Sequence, residues 1–354
     1  MAWTGKASPR RATAAAGLAL ALVASAHAWH GPPTDHFDGT RFHSIEPVHL
    51  TFGDWVKRVF TKHQRPWRDF TDTPPGPPPP ACVAEGAMRV TFVNHATVLL
   101  QMDGVNVLTD PTWAERAIPM IGPRRRRPPG LRLSDLPPID AVLVSHDHHD
   151  HMDLPTLRRL AAAFHPVVFT GLGNTAYLAR KGVPGGRDLD WWDSAEITDR
   201  VRVTAVPARH LSGRGMFDRD RSLWCGFVVT GPSGSAYFAG DTGFGSHFAR
   251  IGEGFPRLRL ALLPIGGFVP VWYMRQQHMG PQDAVRAARD LGAGTTVPIH
   301  FGTFPVSDDA EFEPVEQLRA ALSASPDPAP RFVILDNGES LDLPPVAVEK
   351  PSPE

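Results

Sequence analysis

The hydrophobic pattern of the chain changes near Met88. From there on, short apolar or alternating runs recur between turn residues, which is the pattern of β-strands. The first three runs are RVTFVNH, TVLLQMD and VNVLTDP, and the Asp103-Gly104 pair between the last two is typical of a two-residue hairpin. These runs predict a β-meander.

The strands that follow alternate with helical segments. AVLVS and PVVFTG predict strands, and LPTLRRLAAAF and NTAYLARKG predict the helices after them. A second series predicts the strands RVRVTAVPARH, LWCGFVVTG, SAYFAGD, LRLALLPIG, TTVPIH and RFVILDNGES, with GPQDAVRAARDLG and EPVEQLRAALSA as helices. Two successive mixed halves predict an α/β fold with two packed sheets and helices on the outer faces, a four-layer αββα sandwich.

Three segments lie outside this pattern. Residues 1–28 combine basic residues with the apolar ATAAAGLALALVASAHA, the layout of a secretory signal peptide, so we expect an exported protein, periplasmic or secreted. The apolar part is too short for a membrane span. Residues 29–80 are aromatic and proline-rich, with one amphipathic piece, FGDWVKRVF, and predict an arm over a main domain of residues 81–345. Residues 346–354 predict a disordered tail.

Composition and charge narrow the class of protein. Lys plus Arg (36) nearly balance Asp plus Glu (37), which argues against a nucleic-acid partner but leaves a local basic patch, Arg124 to Arg127, to be explained. Cys82 and Cys225 are the only cysteines and lie in unlike contexts, so no disulfide framework is indicated. The oligomeric state stays open, with a homodimer as one alternative.

Ligand-type side chains crowd together directly after the strand AVLV, in SHDHHDHMD. The four candidates are His146, His148, Asp150 and His151. Alternate residues of an extended chain share a face, so the first three converge, and the turn into the following helix brings the fourth round. Asp147 and His149 face the other way. Imidazole and carboxylate groups are ligands of zinc and similar metals, so this cluster predicts a metal site.

Further ligand-type residues end distant strands. His210 closes VTAVPARH, Asp241 closes SAYFAGD and His300 closes TTVPIH. Each of them alone could equally cap a turn. Together with the first cluster they supply enough ligands for two metal ions that share a carboxylate, which predicts a dinuclear centre at the strand ends.

The motif HDHHDH resembles the H-x-H-x-D-H signature of the metallo-β-lactamase superfamily. DHFDGTRFH, NHATVLL, LTDP, FDRDRSLWCGF, FAGDTGF and LPIGGFVPVWYMRQQHMGPQDAV are similar to the branch that contains N-acyl-phosphatidylethanolamine-hydrolysing phospholipase D. The resemblance implies two divalent metal ions, with zinc as the expected metal. The implied ligands are His146, His148 and His210 for one metal, Asp150, His151 and His300 for the other, and Asp241 as the bridge. A hydroxide shared by the metals would be the nucleophile, oriented by Asp150 or Asp241.

The resemblance also implies roles for residues around the metals. Asp110 in LTDP would hydrogen-bond a histidine ligand, although an Asp before a proline also forms turns. Gln277 and His278 would lie near the scissile phosphate, the alternative being polar residues that precede a helix. A groove for an acyl chain could be lined by Phe268, Trp272, Tyr273 and Met274. The basic loop could meet anionic head groups, unless the aromatics are core residues and the arginines are only solvated.

Together these observations predict an exported, zinc-dependent hydrolase. Its expected activity is that of a phospholipase D type phosphodiesterase acting on N-acyl-phosphatidylethanolamine or a related phospholipid, and peripheral membrane contact remains open. One alternative is a lactone- or amide-cleaving hydrolase on the same dinuclear site. Others are an iron-dependent redox protein of the same fold, which usually has a glutamate at the position of His148, and a non-catalytic metal-binding protein.

Overall fold

The computed structural model describes residues 28–215 and 217–346 of the chain. All of the predicted signal peptide except Ala28, and all of the predicted tail except Val346, lie outside the described residues. Within those ranges, none of the helices combines the length and the apolar character needed to span a bilayer.

The first sheet contains seven strands. These are β1 (Met88–Asn94), β2 (Thr97–Met102), β3 (Val105–Thr109), β4 (Ala141–Val144), β5 (Val167–Gly171), β6 (Gly186–Leu189) and β13 (Ser340–Leu343). Their order is β13-β1-β2-β3-β4-β5-β6, antiparallel from β13 to β3 and parallel from β3 to β6. Asp103 and Gly104 between β2 and β3 both have positive φ, 51° and 83°, as the predicted two-residue hairpin turn requires.

The second sheet contains six strands. These are β7 (Ser194–Glu196), β8 (Arg202–Val206), β9 (Gly226–Gly231), β10 (Gly234–Phe238), β11 (Leu258–Pro264) and β12 (Thr295–Ile299). Their order is β12-β11-β10-β9-β8-β7, parallel from β12 to β10 and antiparallel from β10 to β7. Both sheets are therefore mixed.

Helices supply the crossovers that the parallel strands need. The helices are α1 (Phe52–Phe60), α2 (Leu154–Phe164), α3 (Thr175–Arg180), α4 (His247–Gly254), α5 (Val271–Met274), α6 (Pro281–Leu291) and α7 (Glu313–Ser323), with a short 3₁₀ turn at Leu133–Asp135. Along the chain, α2 connects β4 to β5 and α3 connects β5 to β6, whereas α4 and α6 lie between the parallel strands of the second sheet. The predicted alternation of strands and helices is confirmed.

Alternation along the strands divides the core into two clusters. In β4, Ala141 and Leu143 belong to the cluster that also contains strand residues of the second sheet, whereas Val142 and Val144 belong to the cluster under α2. The strand is thus buried on both faces, which explains its continuous apolar run. Burial of each such aliphatic side chain contributes about 1.5–3 kcal/mol. Helix, sheet, sheet and helix stack in the predicted four layers, so the α/β sandwich is confirmed.

Several elements differ from the predictions, since β6, β7 and α5 were not predicted. RFVILDNGES is not a strand, because only Phe332 forms a bridge, to Thr296 of β12, and the chain then leaves that edge. It turns at Gly338, which has a φ of 85°, and pairs with β1 as β13. The helix α4 was not predicted, because HFARIGEG contains two glycines and has a short apolar face, of which Phe248 and Ile251 are the apolar buried residues.

The N-terminal arm is tied to the main domain through buried residues. Phe37 and Phe42 are both buried and pack with their ring centroids 4.6 Å apart. Further along, Arg58 donates to the buried Asp308 at 3.0 Å, and Arg68 donates to the buried Glu311 at 2.7 Å. The arm is therefore anchored to the segment that precedes α7.

Candidate metal centre

The candidate ligands meet at one edge of the two sheets. The strands β4, β10 and β12 end just before His146, Asp241 and His300, and His210 follows β8. A rigid sheet can hold such strand-terminal side chains in fixed positions. Of the seven predicted ligands, His148 and Asp150 are partly exposed and the other five are buried.

Three histidines form the first group of ligand atoms. His148 Nδ1 lies 2.9 Å from His146 Nε2 and 3.3 Å from His210 Nε2. The other ring nitrogens of two members have fixed partners: His146 Nδ1 donates to Ser145 Oγ at 2.9 Å, and His210 Nδ1 donates to the Gln277 carbonyl at 2.9 Å. The proton on Nδ1 leaves the Nε2 lone pair of each ring directed at the common centre, as a metal ligand requires.

The second group contains Asp150, His151 and His300, together with His95. One ligand atom from each of the four lies within 4.8 Å of the others. His151 Nδ1 donates to Asp110 Oδ2 at 2.6 Å, and the Ser145 hydroxyl donates to the same oxygen at 2.6 Å. The buried Asp110 therefore orients His151 directly and is linked to the first group through Ser145, which matches the role that the resemblance implies for it.

Asp241 lies between the two groups. Its Oδ2 is 3.2 Å from His151 Nε2 and 3.2 Å from His300 Nε2 on one side. On the other side it is 4.0 Å from His210 Nε2 and 3.8 Å from His278 Nδ1. This position suits a carboxylate shared by two metal ions.

Several buried polar atoms of the cluster have no hydrogen-bond partner. They are Asp241 Oδ1, His151 Nε2, His278 Nδ1 and His300 Nδ1. Each buried unsatisfied group costs about 1–3 kcal/mol, and native proteins pair nearly all of them. A set of imidazole and carboxylate donors that point at one another with unpaired atoms fits divalent metal ions such as zinc.

The electrostatic environment favours the metal-binding charge state at His146 and Asp241, but it favours the protonated form of His151. Burial, followed by the neighbouring imidazoles, lowers the pKa of His146 well below its ordinary value. Burial acts to lower the pKa of His151 too, but the carboxylates of Asp241, Asp150 and Asp110 outweigh it and raise that pKa well above the ordinary value. Burial would raise the pKa of Asp241, yet the histidines around it, His151 first, hold it well below its usual range. Metal binding must therefore displace a proton from His151.

A cavity of about 460 Å³ adjoins the cluster. His278 forms part of its wall and at the same time lies beside Asp241, and Phe268 and Arg65 of the arm also line it. The other three residues predicted for an acyl-chain groove lie on α5: Trp272, Tyr273 and Met274. Gln277 is buried, with its carbonyl on His210.

The residues predicted to face away from the metals do so. Asp147 accepts hydrogen bonds from Gly213 N–H at 2.7 Å and from Ser222 Oγ at 3.1 Å. His149 Nδ1 lies 2.9 Å from an Arg214 guanidinium nitrogen. Both side chains therefore support the loop that follows His210.

The basic loop is largely a structural element. Arg125 is buried and donates to the Ala114 carbonyl at 2.7 Å, with its guanidinium over the Phe304 ring. Arg127 donates to the Gly302 carbonyl at 3.1 Å and pairs with Asp336. These two side chains hold the segment that follows His300, which leaves Arg124 as the exposed member of the four.

Sequence reasoning missed His95 as a residue of the site. It follows β1, is 1% exposed, and has its Nε2 3.2 Å from Asp150 Oδ2. The only signal in the sequence is a histidine at a strand end in NHATVLL, and no spacing rule connects it with HDHHDH.

Comparisons with known proteins identify the family of the chain. The sequence pattern of the β-lactamase superfamily domain matches residues 105–301. An uncharacterised protein of Mycobacterium tuberculosis is 43% identical over 241 residues, which cover 66% of this chain and 64% of that protein. The aligned region thus spans less than two thirds of that relative. N-acyl-phosphatidylethanolamine-hydrolysing phospholipase D 1 of Caenorhabditis elegans is 35% identical over 271 residues, which cover 72% of this chain and 76% of that enzyme.

Solved structures share the architecture. Igni18, a metallo hydrolase from the archaeon Ignicoccus hospitalis, superposes with a TM-score of 0.56 at 24% identity, over 73% of this chain and 99% of that chain. At this level of identity the similarity concerns the fold. The resemblance carried by HDHHDH is confirmed, and the chain belongs to the β-lactamase superfamily and has the metallo-β-lactamase fold.

Proposed function

We propose that the protein is a metal-dependent hydrolase with two divalent metal ions, zinc being the expected metal. We further propose that it is a phospholipase D type phosphodiesterase that acts on N-acyl-phosphatidylethanolamine or a related phospholipid. Support for the hydrolase comes from the ligand set at the strand ends, and support for the lipid substrate comes from the named Caenorhabditis elegans relative.

The observation that carries the proposal is the cavity beside the ligand cluster. His278 belongs both to the cavity wall and to the surroundings of Asp241, so a molecule that fills the cavity reaches the predicted metal centre. One wall is apolar, formed by Phe268 and the residues 269–271, whereas the charged part of the lining is mixed: Arg65 pairs with Glu313, and Arg275 and Asp283 also line the cavity. An amphipathic substrate matches an apolar wall beside a charged one.

The side chains around the reacting group have distinct tasks. Two divalent metal ions, when bound, lower the pKa of a water molecule and polarise the oxygens of a phosphodiester. Burial lowers the pKa of His278 to about 4, so its ring is neutral at pH 7 and can donate one N–H to a phosphoryl oxygen. The ionised carboxylates of Asp150 and Asp241 can accept a hydrogen bond from the attacking water and so orient it.

In the proposed reaction, water adds to phosphorus and the bond to the head-group oxygen breaks. The leaving oxygen gains a proton, which gives N-acylethanolamine and phosphatidic acid. The atoms balance without an oxidant or a further co-substrate.

Isotope labelling tests this reaction directly. Zinc-loaded protein is incubated with N-acyl-phosphatidylethanolamine in ¹⁸O-water, and both products are measured by mass spectrometry. We expect one ¹⁸O atom in the phosphate of phosphatidic acid and none in the alcohol, with no turnover by metal-stripped protein or by His300→Ala. Acyl-homoserine lactones and β-lactams are assayed in parallel. Turnover of a lactone or an amide without turnover of the phospholipid would contradict the proposal in favour of the alternative hydrolase.

We also propose peripheral contact with a lipid surface through α1. Phe52, Trp55 and Phe60 of this helix are 78%, 52% and 84% exposed. Lys57 Nζ lies 4.4 Å from the ring centroid of Trp272 and joins this apolar surface to α5. Exposed aromatic residues flanked by basic side chains are typical of helices that lie in a membrane interface.

Vesicle sedimentation tests the membrane contact. The double variant Phe52→Ser/Phe60→Ser should bind vesicles of phosphatidylcholine and phosphatidylglycerol at least tenfold more weakly than the unaltered protein. Phe217→Ser, which removes an aromatic residue that is 66% exposed on a loop outside α1, should bind as the unaltered protein does. Equal binding by the α1 variant would contradict the proposal.

Export is the remaining part of the proposal, and it rests on the pattern of residues 1–28. Expression of the full chain in a Gram-negative host should give a mature protein that begins at Trp29 and is released by osmotic shock. An unprocessed protein in the cytoplasmic fraction would contradict it.

A further inference from the structure

We infer that His95 is a positioning residue of the metal centre, which holds the side chain of Asp150 against the second metal. The inference rests on the proposed dinuclear centre, and it assigns a role to a residue outside HDHHDH and outside the other predicted ligands. His95 is 1% exposed and directs Nε2 to Asp150 Oδ2 at 3.2 Å. No other described residue hydrogen-bonds this carboxylate.

The backbone of His95 is fixed independently of its ring. Its N–H donates to Thr303 Oγ1 at 2.9 Å, and its carbonyl accepts from the His300 N–H at 2.7 Å. With a φ of 48°, His95 occupies the left-handed region, which directs the ring into the cluster at the end of β1. One residue thus joins two predicted ligands of the same metal that come from distant parts of the chain, His300 through the backbone and Asp150 through the side chain.

Three other predicted ligands are also held by a hydrogen bond to a group that is not a ligand. Outer partners hold three of them in one orientation: Ser145 for His146, Asp110 for His151, and the Gln277 carbonyl for His210. Asp150 is the ligand at the turn before α2 and is partly exposed, so its carboxylate needs such a partner most. A hydrogen bond from His95 to Oδ2 restrains the carboxylate and leaves Oδ1 free for the metal.

Packing keeps the ring in place. The His95 ring lies 4.1 Å from the His300 ring and 5.3 Å, edge to face, from Phe304, measured between centroids. A substitution that keeps this volume but lacks the donor therefore isolates the hydrogen bond. His95→Phe is such a change, and His95→Gln restores an N–H donor near the position of Nε2.

Metal retention measures the effect without reference to turnover. Purified protein is loaded with zinc, titrated with a chromophoric chelator, and analysed for bound metal by mass spectrometry. For His95→Phe we expect one of the two metals to bind 10- to 100-fold more weakly, the range found when an outer partner of a ligand is removed. His95→Gln should recover most of this affinity, and in an Asp150→Ala background His95→Phe should cause no further loss.

His36 provides a matched control, because it forms a buried histidine–aspartate pair away from the predicted ligands. The buried His36 contacts Asp190 through Nε2 at 2.7 Å, with no predicted ligand involved, so His36→Phe should retain both metals even if the protein becomes less stable. If His95→Phe does not fold, His95→Asn replaces it, since Asn tolerates a positive φ but is too short to reach Asp150.

The outcomes separate this inference from the proposed function. Unchanged metal affinity in His95→Phe or its replacement overturns the inference, as does an equal loss in His95→Gln, which would indicate a direct ligand. A protein whose affinity for the two metals depends on the His95 hydrogen bond, but which turns over no phosphodiester, refutes the proposed function and leaves the inference standing. A wild-type chain that binds fewer than two metals overturns both.

Discussion

Replacement of Asp110 by Asn tests how the predicted ligands are oriented. Asp110 is completely buried and accepts three hydrogen bonds: Oδ1 takes the Ser145 N–H at 2.7 Å, and Oδ2 takes the Ser145 hydroxyl and His151 Nδ1–H, both at 2.6 Å. Asp110→Asn keeps the shape of the side chain. If the amide oxygen accepts the Ser145 N–H, the amide NH₂ takes the place of Oδ2. It then faces the Ser145 hydroxyl and His151 Nδ1–H, which are both donors.

The magnitude follows from these contacts. A hydrogen bond to a charged group contributes about 1.5–3 kcal/mol, so the loss of two gives an upper limit of about 3–6 kcal/mol for the decrease in the free energy of unfolding. The amide would also donate to His151 Nδ1 and move the ring proton to Nε2, which lies 3.2 Å from Asp241 Oδ2. That tautomer cannot ligate through Nε2, so zinc should bind about 10- to 100-fold more weakly.

The assay combines a zinc-chelator titration at pH 7 with urea unfolding of the metal-stripped protein. Asp147→Asn is the control, because Asp147 is 1% exposed and accepts two hydrogen bonds but faces away from the cluster. The Asp147→Asn variant should have a lower free energy of unfolding and should retain both metals. If Asp110→Asn bound both metals with unchanged affinity, the reasoning about the tautomer would be refuted.

Three further predictions concern the same region. Gly267 and Gly292 both have positive φ, 77° and 62°, but a Cβ at Gly267 would lie 3.2 Å from Cε1 of the predicted ligand His300 whereas one at Gly292 has open space. Gly267→Ala should therefore weaken metal binding, measured by chelator titration, whereas Gly292→Ala should show only the backbone cost of about 1–2 kcal/mol in urea unfolding. His278→Ala should lower kcat at least 100-fold and retain two metals by mass spectrometry; loss of both metals would instead make His278 a ligand. Burial lowers the pKa of His95 to about 3 and that of His278 to about 4 in the metal-stripped folded protein. In the unfolded chain the pKa of a histidine is near 6.5. Below about pH 6.5 the unfolded chain therefore binds more protons than the folded protein does. The free energy of unfolding of the metal-stripped protein should fall from pH 7 to pH 5, by up to about 1.4 kcal/mol per pH unit for each such histidine, and an unchanged urea midpoint would contradict this.

Most of the fold could be predicted because its strands and helices have strong local patterns. Alternation, glycine turns and apolar runs identified the strands from β1 to β4 and the long crossover helices. Weakly patterned elements such as α4 were missed, and one segment with a strand-like pattern was wrongly predicted to be a strand. Residues 331–340 have the composition of a strand, but the edge of β12 accepts only one bridge there, at Phe332. Such competition between sheet edges is set by the whole fold and leaves no local signature.

The residues of the candidate site also fall into two groups, those that could be predicted from the sequence and those that could not. The strand-end histidines and aspartates could be found because a period of two and strand termini are visible in the sequence. Of their outer partners only Asp110 was predicted, through the resemblance. The others could not be predicted, because His95 acts through a contact with a residue 55 positions away, and Ser145 acts through a hydroxyl that any turn could contain. The cavity was predicted only in part: Phe268 lines it, whereas Trp272, Tyr273 and Met274 are absent from its lining, and the arm contributes Arg65 from a segment without strong periodicity.

The anchoring of the arm determines where a truncated form of this protein should begin. Trp67 Nε1 donates to the Asp309 carbonyl at 2.7 Å, the Asp309 carboxylate accepts the Gly267 N–H at 3.2 Å, and Gly267 packs next to His278 and His300. A boundary drawn at residue 81 from the change in hydrophobic pattern would remove one end of this chain of contacts. A catalytic fragment intended for crystallisation or engineering should therefore begin upstream of His36, so that it contains the arm together with the αββα sandwich that the arm contacts.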